Sequence, residues 1–185
     1  MLDGIGKGIS DIFINMSSEY PALLDGILIL FAAMGIIIAA TAVLDITKIG
    51  SGGSQMGDSR AGAITGKLIG GVGLVDLSLW ARVWSSTLWA NSDPLGISAY
   101  APTSSGGDYA EKAIMAALGV MVIAGYVTLG RAYLGITKLG YMTPESRSNM
   151  IGNIFSRILA GSALISCLHV ARAINNSAGI NIIPI

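Results

Sequence analysis

The chain has 185 residues, of which 52% are hydrophobic and only 12% charged, and its formal net charge is zero. This composition, with 25 glycines, is typical of a membrane protein and argues against a soluble enzyme core. Zero net charge gives no global field that would attract nucleic acid, and a single cysteine, Cys167, excludes an internal disulfide.

The first 21 residues predict an amphipathic helix. Apolar residues recur at three- and four-residue steps from Leu2 to Met16, and no continuous apolar run follows a charged start, so the segment resembles neither a span nor a signal peptide. A helix of this kind lies in a membrane interface or packs on a neighbouring helix.

Four apolar runs predict four membrane-spanning helices. Residues 26–44 and 113–130 carry no charge and are long enough, at about 1.5 Å per residue, to cross a hydrocarbon core of about 30 Å. The other two, residues 68–81 and 158–171, are each bounded by basic residues that would have to reach the head groups.

Polar segments separate these runs. Glycine and serine in residues 45–63 predict the first hairpin turn, and the Thr-Pro-Glu sequence at 143–145 predicts the start of a helix. Residues 84–112 predict an aromatic belt followed by a polar connector. The aromatic residues of that belt are Trp84, Trp89, Tyr100 and Tyr109.

The chain repeats itself at a step of ninety residues. LDITKIG at residues 44–50 returns as LGITKLG at residues 134–140, and fourteen of the sixty-three positions in 24–86 are identical in 114–176. A repeat of this length indicates duplication of one structural unit. The predicted fold is therefore an all-α membrane protein with four transmembrane helices as two tandem duplicated helical hairpins, plus an N-terminal amphipathic helix. Its predicted segments are 1–21 (amphipathic segment), 22–90 (first hairpin), 91–111 (connector), 112–176 (second hairpin) and 177–185 (tail).

Basic residues concentrate at the two hairpin turns and their flanks, which hold seven of the eleven lysines and arginines. By the positive-inside rule both turns face the cytoplasm, whereas the termini and the connector face out. Like charges gathered at one end repel by about 2 kcal/mol per pair at 8 Å, so an anion is expected among them. The candidates for binding lipid phosphate or lining a lumen are Lys48, Arg60, Lys67, Lys138, Arg147 and Arg157.

Small residues recur every four positions on the second arm of each hairpin. They let helix backbones approach closely, and their presence in both halves favours a packing function. The predicted packing residues are Gly62, Gly66 and Gly70 in the first half and Gly152, Ser156 and Ala160 in the second.

No residue pattern indicates catalysis or a bound metal. His169 has no partner at ligand spacing, so an interfacial histidine is the favoured interpretation. Asp76 interrupts the second apolar run, and an acid inside a membrane is either an ion-linked group or a paired, helix-contacting residue. The second interpretation is favoured because its counterpart ninety positions on is Ser166.

The duplicated hairpins, the glycine-rich second run and the LDITKIG and LGITKLG segments resemble the small polytopic membrane proteins of the I-type conjugation apparatus, TraQ, and their Dot/Icm relatives DotE (IcmC) and DotV. Each half is also similar to a VirB2-type conjugative pilin, a helical hairpin that stacks with phospholipid into a tube whose lumen its basic loop lines. The fusion of two hairpins in one chain departs from that pilin pattern.

These resemblances imply a non-enzymatic structural subunit of a conjugation or type IV secretion apparatus. Its expected location is the bacterial inner membrane, with an extracellular pilus after assembly. The implied partners are copies of itself, structural phospholipid, other secretion subunits, and DNA or protein passing through a lumen. The alternative function is a small transporter or channel of two parallel two-helix repeats, with Asp76 as the ion-linked residue.

Overall fold

Helices are the only secondary-structure elements in the described part of the chain, which comprises residues 2–50, 58–89, 97–100 and 109–178 of this computed structural model. Two short 3₁₀ turns cover Ile97–Tyr100 and Leu139–Tyr141. The α-helices are α1 (Leu2–Ser17), α2 (Tyr20–Gly50), α3 (Asp58–Val75), α4 (Leu77–Leu88), α5 (Tyr109–Lys138), α6 (Pro144–Ile165) and α7 (Cys167–Ala178).

Two of these helices are long and apolar enough to cross a membrane, through Tyr20–Ile49 in α2 and Lys112–Tyr141 in α5. A third crossing is added if α3 and α4 count as one bent span. Only 17% of the most apolar stretch of α2 is buried, against 33% for α5. Apolar side chains with so little protein cover are poorly suited to water, so the prediction of an all-helical chain with membrane-spanning helices agrees with the structure.

The two shorter apolar runs, residues 68–81 and 158–171, do not form continuous helices, because each is broken. The first break is at Asp76, where α3 and α4 meet at an angle of 91°. The second is at Ser166, between α6 and α7. The breaks are ninety residues apart. The last residues of α3 and α4, Val75 and Leu88, also correspond at this step to the last residues of α6 and α7, Ile165 and Ala178.

The predicted first hairpin turn, residues 45–63, is partly helical. α2 continues to Gly50 and α3 begins at Asp58, so 45–50 and 58–63 are helical, while 51–57 lie outside the described residues. An ion pair joins the two helices, in which Lys67 Nζ lies 2.6 Å from an Asp45 carboxylate oxygen. At the second turn α6 begins at Pro144 with Thr143 as its N-cap, as predicted.

The two long helices run parallel. Tyr20, at the start of α2, donates a hydrogen bond to the carbonyl of Ala116 and packs on Gly119, both near the start of α5. Eleven residues further on, Phe31 packs on Gly130. The C-terminal ends of α2 and α5 therefore point the same way. The contacting residues are separated by 99 positions, not 90, so the second half is displaced by nine residues along the bundle.

The shorter helices α3 and α6 run antiparallel to the long ones. A Cβ on Gly35 of α2 would lie 2.9 Å from the backbone nitrogen of Val75, the last residue of α3. A Cβ on Gly125 of α5 would lie 2.9 Å from that of Ile165, the last residue of α6. Gly35 is the midpoint of the uncharged run 26–44, so α3 ends halfway along the apolar part of α2 and α4 turns away there.

The main core lies where α5 meets the other helices. Leu129 and Ala132 of α5 are fully buried, as is Leu74 of α3. A second, smaller cluster contains Tyr100, which is only 1% exposed. The prediction that Tyr100 belongs to an aromatic belt is therefore wrong, because the turn before α5 folds it back onto Val122 and Leu168.

Candidate functional site: the helix-packing surfaces

Two of the predicted packing glycines, Gly66 and Gly70, lie at a close contact between α3 and α5. A Cβ added to Gly66 would lie 2.9 Å from the carbonyl oxygen of Ile136, and one on Gly70 would lie 2.8 Å from that of Tyr133. A side chain at either position would have to push the two helix backbones apart. Glycine therefore sets the distance between these helices.

The third predicted glycine of this face, Gly62, has no atom within 4 Å of the position its Cβ would take. Its backbone is nevertheless approached from the other side, because a Cβ on Gly140 would lie 2.5 Å from the Gly62 carbonyl carbon and would overlap the backbone of Ala63. The 3₁₀ turn Leu139–Tyr141 thus packs directly on the start of α3. This contact brings the ends of the two hairpins together.

Within each half, the long and short helices meet through a glycine pair. A Cβ on Gly71 would lie 3.0 Å from the carbonyl oxygen of Gly35, and a Cβ on Gly161 would lie 3.1 Å from that of Gly125. Each residue of the first pair corresponds to a residue of the second pair at a step of ninety positions. The neighbouring contacts correspond in the same way, with Ala39 beside Gly71 and Leu129 beside Gly161. The same helix–helix geometry thus occurs twice in the chain.

The predicted packing residues of the second half have no such cover. A Cβ on Gly152 would meet no atom within 4 Å, and Ser156 and Ala160 are exposed on α6. The face that α5 covers on α3 is therefore open on α6. The ninety-residue correspondence in sequence does not show this difference, because it does not say which helix has a neighbour.

Asp76 caps α4 at the break between α3 and α4. One of its carboxylate oxygens accepts hydrogen bonds from the backbone N–H of Leu79, at 3.1 Å, and from the hydroxyl of Ser78, at 3.0 Å. The carboxylate thereby replaces a backbone partner that the first turn of a helix lacks. The sequence signal for this function was available, since aspartate is a favoured N-cap residue.

The equivalent break at Ser166 has a different chemistry. Ser166 is 3% exposed, and among the described residues its hydroxyl has no hydrogen-bond partner, although its backbone N–H donates to the carbonyl of Ser162. The second break is thus formed without a side-chain cap. The end of α3 packs on Gly35 of α2 and the end of α6 packs on Gly125 of α5, so each break lies beside the long helix that precedes it in the chain.

Aromatic side chains that the sequence analysis placed in a belt instead connect α4 to the second half. The Trp84 indole donates to the Tyr133 hydroxyl at 3.0 Å, and the Trp89 indole donates to the Ser162 hydroxyl at 3.3 Å. The Tyr133 ring also packs on Gly73 of α3. Tyr133 was not identified from the sequence, because nothing in its own segment indicates which helix it meets.

The predicted basic residues do not form one uniform cluster. Lys67 is paired with Asp45 and lies 5.4 Å from the ring centroid of Tyr141, so its charge already has partners. Arg147 is half-buried and donates to the Met142 carbonyl at 3.4 Å, while its Nε has no partner among the described residues. Arg147 thus combines a charge with an unused donor near the end of α5.

The other four basic candidates lie on helix ends or helix faces. Lys48 and Lys138 are exposed in the last turns of the parallel helices α2 and α5. Arg157 is half-buried in the middle of α6. Arg60 lies in the first turn of α3, and its side chain is outside the described set.

An open groove of about 670 Å³ lies between the end of α4 and α7. It is mainly apolar and contains Trp89 and His169. In the described residues no three His, Cys, Asp or Glu side chains come together in a way that could hold a metal ion. Cys167 is half-buried, and its thiol makes a weak hydrogen bond to the Leu118 carbonyl at 3.7 Å.

A comparison of this chain with protein-family models, with curated proteins and with solved structures found no match.

Proposed function

We propose that this chain is a structural membrane subunit that assembles with copies of itself and with phospholipid, as part of a conjugation or type IV secretion apparatus in the bacterial inner membrane. The observation that carries the proposal is the pair of equivalent helix packings, Gly35 on Gly71 and Gly125 on Gly161. Two similar helix packings lie side by side in this chain. Larger assemblies are built by adding further units of the same kind in the same way.

In this proposal the four spans are two tandem hairpins whose second arms are broken helices. α2 and α5 are the first arms, and α3 with α4 and α6 with α7 are the second arms. The matching break positions at Asp76 and Ser166 support the duplication. α2 and α5 point the same way, so Lys48 and Lys138 lie at their C-terminal ends, with Lys138 nine residues behind Lys48 along the bundle. The positive-inside rule assigns these ends to the cytoplasm.

Polar residues on α4 favour an assembly over an isolated subunit. Asp76 and Arg82 are exposed, although α4 begins beside the middle of the apolar run of α2. Charged groups at such a depth are costly when they face lipid and usually face protein or a water-filled cavity. A neighbouring subunit or an aqueous lumen would provide that environment, and transferred DNA or protein would pass through the lumen.

Phospholipid is proposed at the basic end of the bundle. Lys138 is exposed there, and Arg147 has a donor without a partner among the described residues. Lipid phosphate carries the charge and the acceptor oxygens that these groups can bind. Lys67 contributes less to this site than the sequence suggests, because Asp45 already neutralises it.

An ion-linked transport function for Asp76 is less favoured. Its carboxylate accepts two local hydrogen bonds and caps α4, which is a sufficient structural reason for an acid at that position. We therefore retain the structural function.

The proposed function is tested by purifying the full chain in a mild detergent and measuring its mass, its shape and its lipid content. Native mass spectrometry and negative-stain imaging should show oligomers or filaments, and lipid extraction should recover phospholipid with them. A chain that stays monomeric at the highest protein concentration measured in detergent would contradict the proposal, and so would an oligomer free of phospholipid.

A further inference from the structure

The interface between α3 and α5 joins the two halves of the chain. On α3 it consists of Gly66, Gly70 and Gly73, which are buried. On α5 it includes Tyr133, which is 4% exposed, and Thr137, whose methyl group contacts the position of a Gly70 Cβ. This surface of each helix is thus protected by the other helix.

The equivalent surface of α6 has no such protection. Ninety residues after Gly66 and Gly70 come Ser156 and Ala160, and both are exposed. Large apolar side chains beside them, such as Phe155 at 58%, are exposed as well.

The equivalent surface of α2 is also uncovered. Ninety residues before Tyr133 lies Val43, which is 52% exposed, and before Ile136 lies Ile46, which is 46% exposed. Thr47, the counterpart of Thr137, is exposed too. Among the described residues there is thus one contact of this type within the chain. Two equivalent surfaces are open, one on α2 and one on α6.

One pair of positions on the open surfaces is compensated in size. In the internal contact the Tyr133 ring lies against Gly73, a large residue against the smallest. At the equivalent positions, Val43 is smaller than Tyr133 and Ala163 is larger than Gly73. The volume lost on one helix is therefore partly offset by the volume gained on the other.

We propose that α6 of one copy packs against α2 of the next copy through the positions that correspond to the internal α3–α5 contact, with the two helices further apart because Ser156 and Ala160 carry side chains where α3 has glycine. The occupant of the open surface of α6 is thus a second copy of this chain. The proposal rests on the proposed function, in that it needs the chain to self-assemble, and it adds the interface through which assembly occurs. Thr47 of one copy then lies against Ala160 of its neighbour, as Thr137 lies against Gly70 within the chain.

A contact between two different surfaces is heterologous, so each copy added leaves one new surface open for the next. The rotation between neighbouring copies then decides whether the contacts close into a ring or continue as an open filament.

Disulfide cross-linking in membranes tests the interface. In a Cys167→Ala background, the double variant Thr47→Cys/Ala160→Cys should give a ladder of dimers, trimers and larger species on oxidation, because each copy contributes one thiol to each neighbour. Mixing the two single variants should give dimers only. Thr41 provides a matched control, since it is an exposed threonine of α2 with the same hydrogen bond to the carbonyl three residues earlier, but lies about 120° away around the helix.

The Thr41→Cys/Ala160→Cys control should give no ladder. A ladder of equal yield from this control, or strong dimers from Thr47→Cys alone, would overturn the proposed interface. The first result would indicate random collision, and the second would indicate a symmetric contact.

A steric variant separates this interface from the proposed function. Ser156→Trp should reduce the oligomer by at least tenfold while the monomer keeps its unfolding transition, because the site is open within the chain. Ile151→Trp, exposed on the same helix but about 140° away, should assemble normally. If the wild type oligomerises and Ser156→Trp oligomerises equally well, the interface is wrong while self-assembly stands; if the wild type does not oligomerise, both fail.

Discussion

The Trp84 indole donates a hydrogen bond to the Tyr133 hydroxyl at 3.0 Å, and this bond ties α4 to α5 beyond the 91° bend. The same Tyr133 ring packs on Gly73, before the bend, and lies 6.0 Å from the ring centroid of Trp80 after it. One side chain of the second half thus contacts both arms of the broken helix in the first half. The bend depends on this contact as well as on the cap at Asp76.

Tyr133→Phe should lower the free energy of unfolding by about 1 kcal/mol, because the Trp84 N–H loses its acceptor in a partly buried site. Reversible unfolding in mixed micelles measures the change. A double-mutant cycle with Trp84→Phe isolates the pair, since the packing that each substitution removes by itself cancels and only the coupling energy remains. Fully additive effects of the two substitutions would show that the bond contributes nothing.

Gly66→Leu should disrupt the packing of α3 on α5, because even a Cβ there would lie 2.9 Å from the Ile136 carbonyl oxygen. Overpacking of this kind typically costs about 1–3 kcal/mol and here would also impair assembly. Gly62→Leu is the matched control on the same helix, since a Cβ at Gly62 meets no atom within 4 Å. Thermal unfolding and oligomer mass should change for Gly66→Leu and not for Gly62→Leu, and equal behaviour of both variants would refute the contact.

Asp76→Ala should destabilise the chain by about 1 kcal/mol because α4 loses its N-cap. Asp76→Asn should retain most of the stability, since asparagine caps helices about as well. Ion flux through reconstituted protein provides the discriminating measurement. A flux that is present in the wild type and vanishes in Asp76→Asn, with stability unchanged, would favour the transporter function instead.

Lys138→Gln should reduce the phospholipid that co-purifies with each subunit, because an exposed charge at the basic end is lost. The double variant Lys67→Gln/Asp45→Asn removes a lysine together with its partner and leaves the net charge unchanged, so it should retain its lipid. Lipid phosphate assayed per mole of protein compares the two. If both variants lose lipid equally, or neither does, binding is not set by the exposed charge.

Several features of the fold followed from the sequence alone. The apolar runs at residues 26–44 and 113–130 predicted the helices α2 and α5, because a long uncharged run has few structures open to it other than a membrane helix. The Thr143 and Pro144 start of α6 was predicted from local backbone chemistry. The ninety-residue repeat remains a prediction of duplication, with matching helix ends and glycine contacts in its support.

Only the tertiary structure decided where the second arms break and which surfaces are covered. An apolar run has the same sequence pattern whether its helix is straight or bent, so the breaks at Asp76 and Ser166 are visible only in the tertiary structure. Gly66 and Ser156 occupy equivalent positions in the repeat, yet one is buried and the other exposed. Local sequence determines what a helix can pack against, whereas the arrangement of the helices determines which surface has a neighbour: α5 covers α3 at Gly66, and no described helix covers α6 at Ser156.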